Sequence, residues 1–277
     1  MSTPKKHHFV PKWYLKRFSD PSGFLHVLDR NNGLYRKQKP EKVMSIGNYY
    51  RQDWAPPGID PNILEKRLGA LIEPNAQKAL DKLLQGGRGL TDDDTAAIVV
   101  YLEFQHIRVP RQARSAMPLA INTIFTNSPP ELQAMIARGE VKITLRDSIR
   151  FLFMRCLTGQ LVQWLSNMDW EVLESPDRTS FITTDSPVSF YNVAFPPPTQ
   201  AGIGLAGTMV FFPLNSKYLL VLRHPEYNGS NRVSPSQRLP VPEINDGGIH
   251  ITYNYQSSYE EVVACNWTMS HINCRSR

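Results

Sequence analysis

TMVFFPLNSKYLLVLR, residues 208–223, decides how the chain is read: two short runs rich in Val, Phe, Tyr and Leu flank a Pro, Asn and Ser cluster. WEVLE (170–174), SFITTD (180–185) and IHITYNY (249–255) have the same texture, again bounded by Pro, Gly and Asn. Each is predicted to be a strand. Before residue 169 the apolar spacing is mostly helical, so the chain divides into a helical half followed by a sheet. The expected class is α+β, a largely helical N-terminal half packed with a mainly antiparallel sheet from the C-terminal half, plus an N-terminal basic hairpin.

The helical half contains several separate elements. From Pro11, Tyr14, Leu15 and Phe18 recur at helical spacing, predicting a short amphipathic helix. GFLHVLDRNNGLYRKQK (23–39) reads as a hairpin around its Asn-Asn-Gly turn. Residues 61–87 read as a helix bent or broken at Pro74, whose missing amide interrupts the ladder. Thr91 and Asp94 form a variant capping box for a helix over 91–108, which Pro110 is expected to end. Helices are also expected at 130–138 and 145–168, and a last one from Ser257 or Ser258, capped by Glu260 or Glu261, to about His271.

With 277 residues, 41% hydrophobic and 20% charged, the chain excludes disorder, collagen-like repeats and extended coiled coil. The expectation is one domain over 1–277, with a basic subregion at 1–55, a helical one at 60–168 and a sheet-rich one at 169–277. No stretch approaches the roughly 18–20 apolar residues that span a bilayer, and MSTPKKHH leads into no apolar signal core. Cys156, Cys265 and Cys274 offer no disulfide framework. A soluble cytoplasmic protein without membrane association is expected.

Charge is concentrated. Residues 1–42 carry +7 while the whole chain carries +6, leaving the remainder close to neutral. A positive field of this kind attracts polyanions, most often nucleic acid, and equally describes a basic face kept for solubility. Lys12, Lys16 and Arg17 are the candidate phosphate contacts.

Among the groups that carry chemistry, Gln105 and Arg108 share a helical face, with Arg111 and Arg114 close behind. Guanidinium forks grip phosphate or carboxylate, but arginines at a helix C-terminus also complement its dipole, and spacing alone favours the latter. Glu65 and Glu73 stand two turns apart, at about 80° on an unkinked helix. Carboxylates serve glycosidic-bond chemistry, one moving a proton and another stabilising positive charge on the sugar. Without a second marker, each reads as a surface or ion-paired residue. Asp185 is expected to leave a strand into a Ser-Pro turn, where a rigid scaffold projects a side chain. The alternative is an Asx turn to its own backbone two residues on.

His7 and His8 do not converge as adjacent residues, and His271 with Cys274 lacks further ligands, so no metal site and no cofactor is expected. GIGLAG (202–207) lacks the strand-then-helix setting of a dinucleotide site, and Glu140-Val141-Lys142 is only half of a PD-ExK nuclease motif.

HHFVPKWYLKRF (7–18), EFQHIRVPRQA (103–113), FITTDSPVSF (181–190) and FFPLNSKYLLVL (211–222), in this order, resemble domain-of-unknown-function family 4238. The opening motif is carried by His8, Val10, Pro11, Tyr14, Leu15 and Phe18. The resemblance raises the functional standing of His8, Tyr14, Gln105, Arg108, Pro110 and Asp185. It also implies a link to bacterial defence against phage and to removal of modified bases from DNA.

Together these readings give a DNA N-glycosylase that excises a modified base, with DNA as partner, including phage DNA carrying modified bases. Asp185, Glu73 and His8 are its candidate catalytic residues. Lys12, Tyr14, Lys16, Arg17, Gln105, Arg108, Arg111 and Arg114 are its candidate DNA contacts. A metal-dependent nuclease and a non-enzymatic nucleic-acid-binding module are the alternatives.

Overall fold

A computed structural model describes residues 6–53, 55–145, 149–227, 233–243 and 248–272. Cys274 lies outside them. The chain opens with β1 (Lys6–His8) and α1 (Lys12–Lys16), followed by hairpin strands β2 (Leu25–Asp29) and β3 (Leu34–Gln38). Gly33, at φ +69°, supplies the left-handed residue the Asn-Asn-Gly turn requires. β4 (Ser45–Gly47) then returns antiparallel to β1. Because successive strand residues face opposite ways, His7 is buried and His8 turns toward another face.

Next come α2 (Ile63–Arg67), a π turn at Leu68–Ile72, and α3 (Glu73–Leu84). The expected break falls before Pro74 rather than at it. The widened turn absorbs the missing amide and leaves Pro74 in the first turn of α3, where no donor is needed. In α4 (Asp92–Ile107) both halves of the Thr91–Asp94 capping box form. Tyr101, Leu102, Glu103, Gln105, His106 and Ile107 are all buried, so this helix runs through the interior.

Pro110 does more than end α4. It opens α5 (Pro110–Thr126), a helix the sequence did not announce because Pro118 lies inside it. Arg111 and Arg114 therefore belong to the first turns of α5, not to the end of α4. After α6 (Pro130–Ala137), the single helix expected over 145–168 is two, α7 (Ile149–Leu157) and α8 (Val162–Leu165). The turn between them contains Gly159 at φ +85°. Its amides are drawn to Glu103, whose carboxylate accepts from Gly159, Leu161 and Val162 at 2.9, 2.8 and 3.3 Å.

The sheet comprises β5 (Asp169–Glu174), β6 (Ser189–Tyr191), β7 (Met209–Pro213), β8 (Tyr218–Arg223) and β9 (Ile251–Gln256), ordered β6-β7-β8-β5-β9. All pairs are antiparallel except β5 with β9. SFITTD is not a strand. The Ile182 amide donates to the Asn266 side chain, and the pairing strand begins only at Ser189. Trp170, Val172, Val210, Phe212, Leu220 and Leu222 face the helical half, while Leu173, Phe211, Leu219 and Val221 face α9 (Tyr259–Ile272). Covering both faces explains why β7 and β8 are apolar at nearly every position. The result is an α+β fold with the sheet between two helical layers. Among the described residues, no helix is long and apolar enough to cross a membrane.

Candidate active site

The start of α1, the α2–α3 segment and the end of α4 meet around one buried cation. Arg108 is 2% exposed. Its Nη1 donates to Glu73 Oε1 at 2.9 Å, and its Nε and Nη2 donate to Gln105 Oε1 at 2.9 and 2.5 Å. Gln105 in turn donates to the Phe9 carbonyl at 3.0 Å, and Trp13 Nε1 donates to Glu73 Oε2 at 3.1 Å. Both Glu73 oxygens are thus held, and Arg108 spends its donors on side chains rather than on the α4 carbonyls.

Glu65, one helical segment earlier, faces the same charges. Burial raises its pKa to about 7, Glu73 adds to the rise, and Arg108 and Lys12 oppose it. A carboxyl poised there exists in both protonation states near neutrality. Tyr50, fully buried with its ring stacked on His7, also feels Arg108, Glu65 and Glu73, and its hydroxyl has no hydrogen-bond partner among the described residues. His8 lies at the edge of this group. Its Nε2 is buried without a partner among the described residues, and burial followed by the Lys12 charge lowers its pKa.

Asp185 stands apart. The charges that act on it most are Arg114 and Arg111, not the glutamates. The residue is exposed, yet its surroundings desolvate the carboxyl enough to raise its pKa against both arginines. Neither its expected strand exit nor the Asx turn is present. Pro187 has no amide to donate, and the turn is made instead by Thr184, whose Oγ1 accepts from Ser186 N at 3.2 Å.

The expected DNA contacts divide by burial. Tyr14 is 0% exposed, and its hydroxyl contacts the Pro213 carbonyl at 2.8 Å and Thr183 Oγ1 at 3.0 Å. Tyr14, Gln105 and Arg108, expected as DNA contacts, are thus buried and bonded within the protein. Arg17 packs over Trp13 and pairs with Asp81 at 2.6 Å. On the hairpin, Lys37 pairs with Asp20, Arg36 with Asp29, and Arg30 donates to the Ser270 carbonyl at the end of α9. Lys12 and Lys16 are exposed and make no ion pair among the described residues. Much of the N-terminal positive charge is thus used within the fold, and these two lysines beside Trp13 belong to its outward part, with Lys6 and Lys42.

Glu140 pairs with Arg138 at the surface. Among the described residues no group of three or more His, Cys, Asp or Glu side chains is placed to hold a metal.

Glu65 and Glu73 read alike in the sequence, and what spacing did not express is the desolvation of Glu65. Its signal was position: the residue lies on the inner side of a short helix whose neighbours Leu64 and Leu68 pack against the core. These features define an α+β protein with two carboxylates gathered around a buried arginine. The chain belongs to the family described as Protein of unknown function (DUF4238), whose model matches residues 6–266. Neither a curated protein nor a solved structure matches the chain.

Proposed function

We propose that the protein hydrolyses N-glycosidic bonds in nucleic acid, releasing a base, with Glu65 as its proton carrier. The carrying observation is the pairing of Glu65, raised to about 7, with Glu73, whose two oxygens are fixed by Arg108 and Trp13. Two carboxylates in unlike surroundings are what glycosidic-bond cleavage uses.

In this reading the protonated Glu65 gives its proton to the departing base as the bond to C1′ breaks. The bonding electron pair leaves with the base, and positive charge grows on the sugar. Glu73, fixed in direction, stabilises that charge more in the transition state than in the neutral ground state. Water then bonds to C1′ and its proton passes to the Glu65 carboxylate, which restores the acid. One water is consumed, and the products are free base and an abasic sugar. Arg108 and Gln105 position Glu73 without touching substrate. Lys12 and Lys16 attract phosphates at the mouth of the site. Asp185, assigned first to catalysis, serves in this proposal to orient Arg111 and Arg114, because the proton-carrying role belongs to Glu65.

The test is release of free base from DNA carrying modified bases, followed by mass spectrometry and by alkali-labile strand breaks, in the wild type and Glu65→Gln. Acceleration lost on removing one positioned proton carrier is typically about 10²–10⁴-fold. A removed-base context in phage defence is the setting this reading fits.

A further inference from the structure

A cleft of about 1310 Å³ lies between the 48–53 segment and α7, with Leu64 of α2 in its lining. Small-molecule sites typically occupy about 300–1,000 Å³, so the space exceeds what one small ligand fills. Among the described residues its charged side chains are Arg51, Arg150 and Arg155 against Asp53. Arg51 engages Asp53 through its Nε at 2.6 Å, which leaves its Nη atoms outside that pair, and Arg155 is exposed on α7.

The cleft is also lined by aromatic side chains. Phe104 and Phe151, both half-buried, line it from α4 and α7. The Arg150 guanidinium is buried and packed 4.1 Å from the Tyr49 ring centroid and 4.3 Å from that of Phe151, and it donates to the Tyr49 carbonyl. Arg150 therefore fixes the floor and the direction of Phe151, while Arg51 and Arg155 face what enters. Asn48 and Gln52 add amides to the same wall.

Guanidinium groups along a groove that also offers ring faces suit a polyanion whose bases are free to stack. A duplex keeps its base faces covered. We infer that this cleft binds single-stranded nucleic acid, arginines at its phosphates and Phe104 and Phe151 against its bases. The inference rests on the proposed hydrolase reading for its direction. Leu64 lines the cleft, and the next residue, Glu65, about 100° further round the helix, faces Arg108 and Lys12, so a strand held there runs beside the segment that carries the proton carrier.

The test uses the full chain and a fluorescein-labelled oligothymidylate of about twelve nucleotides, long enough for a groove of this kind, read by fluorescence anisotropy over a salt series. Arg51→Glu with Arg155→Glu should weaken binding by about tenfold or more and reduce the salt slope by about 0.7 per lost phosphate contact. Phe151→Leu keeps an apolar wall but removes the ring; it should weaken binding several-fold and leave the salt slope unchanged. Wild-type affinity in the double variant, with an unchanged urea midpoint, overturns the groove, as does absence of binding by the wild type. If binding depends on these arginines but no substrate loses a base, the hydrolase reading fails and the groove stands. If base is released while binding ignores them, the groove fails and the hydrolase reading stands.

Discussion

Arg108 Nη1 lies 2.9 Å from Glu73 Oε1, tying the end of α4 to the first turn of α3. The guanidinium is almost fully enclosed, so truncating it leaves Glu73 Oε1 without its donor and the Gln105 carbonyl oxygen with only the Tyr101 hydroxyl at 3.5 Å. Breaking a buried pair from one side costs about 3–5 kcal/mol. Arg108→Ala should lose that much in urea unfolding. Arg108→Lys keeps the charge but not the fork to Gln105 and should lose about 1–2 kcal/mol. Losses below about 0.5 kcal/mol for both would place the pair among surface contacts.

Glu103 is 1% exposed and holds three backbone amides at the start of α8. Glu103→Ala strands those donors and should cost about 3 kcal/mol or more, since each buried unmet donor costs about 1–3 kcal/mol. Glu103→Gln retains one acceptor oxygen and should lose less. Amide exchange at Gly159, Leu161 and Val162 should accelerate in both variants; unchanged protection would refute the cap.

Glu65 makes stability depend on pH with a definite sign. Its pKa rises from 4.5 to about 7 on folding. Between those values the folded chain holds a proton the unfolded chain has released. The contribution is fully present below about 4.5 and is lost as pH rises through about 7. Glu65→Gln removes this titration, so its urea midpoint should gain on the wild type from about pH 5 to about pH 8. His106, pushed down to about 4 by burial, has the opposite sign: its contribution is lost as pH falls. It is common to both proteins and cancels in the difference. Parallel curves would remove the buried proton from Glu65.

Asp185 interacts with Arg111 and Arg114 rather than with the glutamates. Asp185→Asn should therefore keep more than about a tenth of base release, whereas Glu65→Gln should lose about a hundredfold or more. Equal losses from both substitutions would return Asp185 to the reacting group.

Features written in local chemistry were legible in the sequence. Thr91 with Asp94 announced the α4 N-terminus, Asn-Asn-Gly the hairpin, and the β-rich runs of 208–223 the centre of the sheet. Pro110 was misleading because a proline that stops one helix also suits the first turn of the next. The turn at Gly159 was hidden because it depends on Glu103, 56 residues earlier. The candidate site was half legible. Residue types named Glu73, Gln105, Arg108 and His8, but the elevation of Glu65 arises from burial among residues distant in sequence, which spacing cannot express.

In the proposed reaction Glu65 carries the proton for base release. DNA bearing modified bases, incubated with wild type and with Glu65→Gln in the presence and absence of a chelator, tests it by mass spectrometry of the released products. The expected result is free base and alkali-labile abasic sites from the wild type, insensitive to chelator, with release falling as pH rises through about 7 and reduced at least about a hundredfold in a folded Glu65→Gln. Backbone cleavage without free base, or full release by Glu65→Gln, contradicts it.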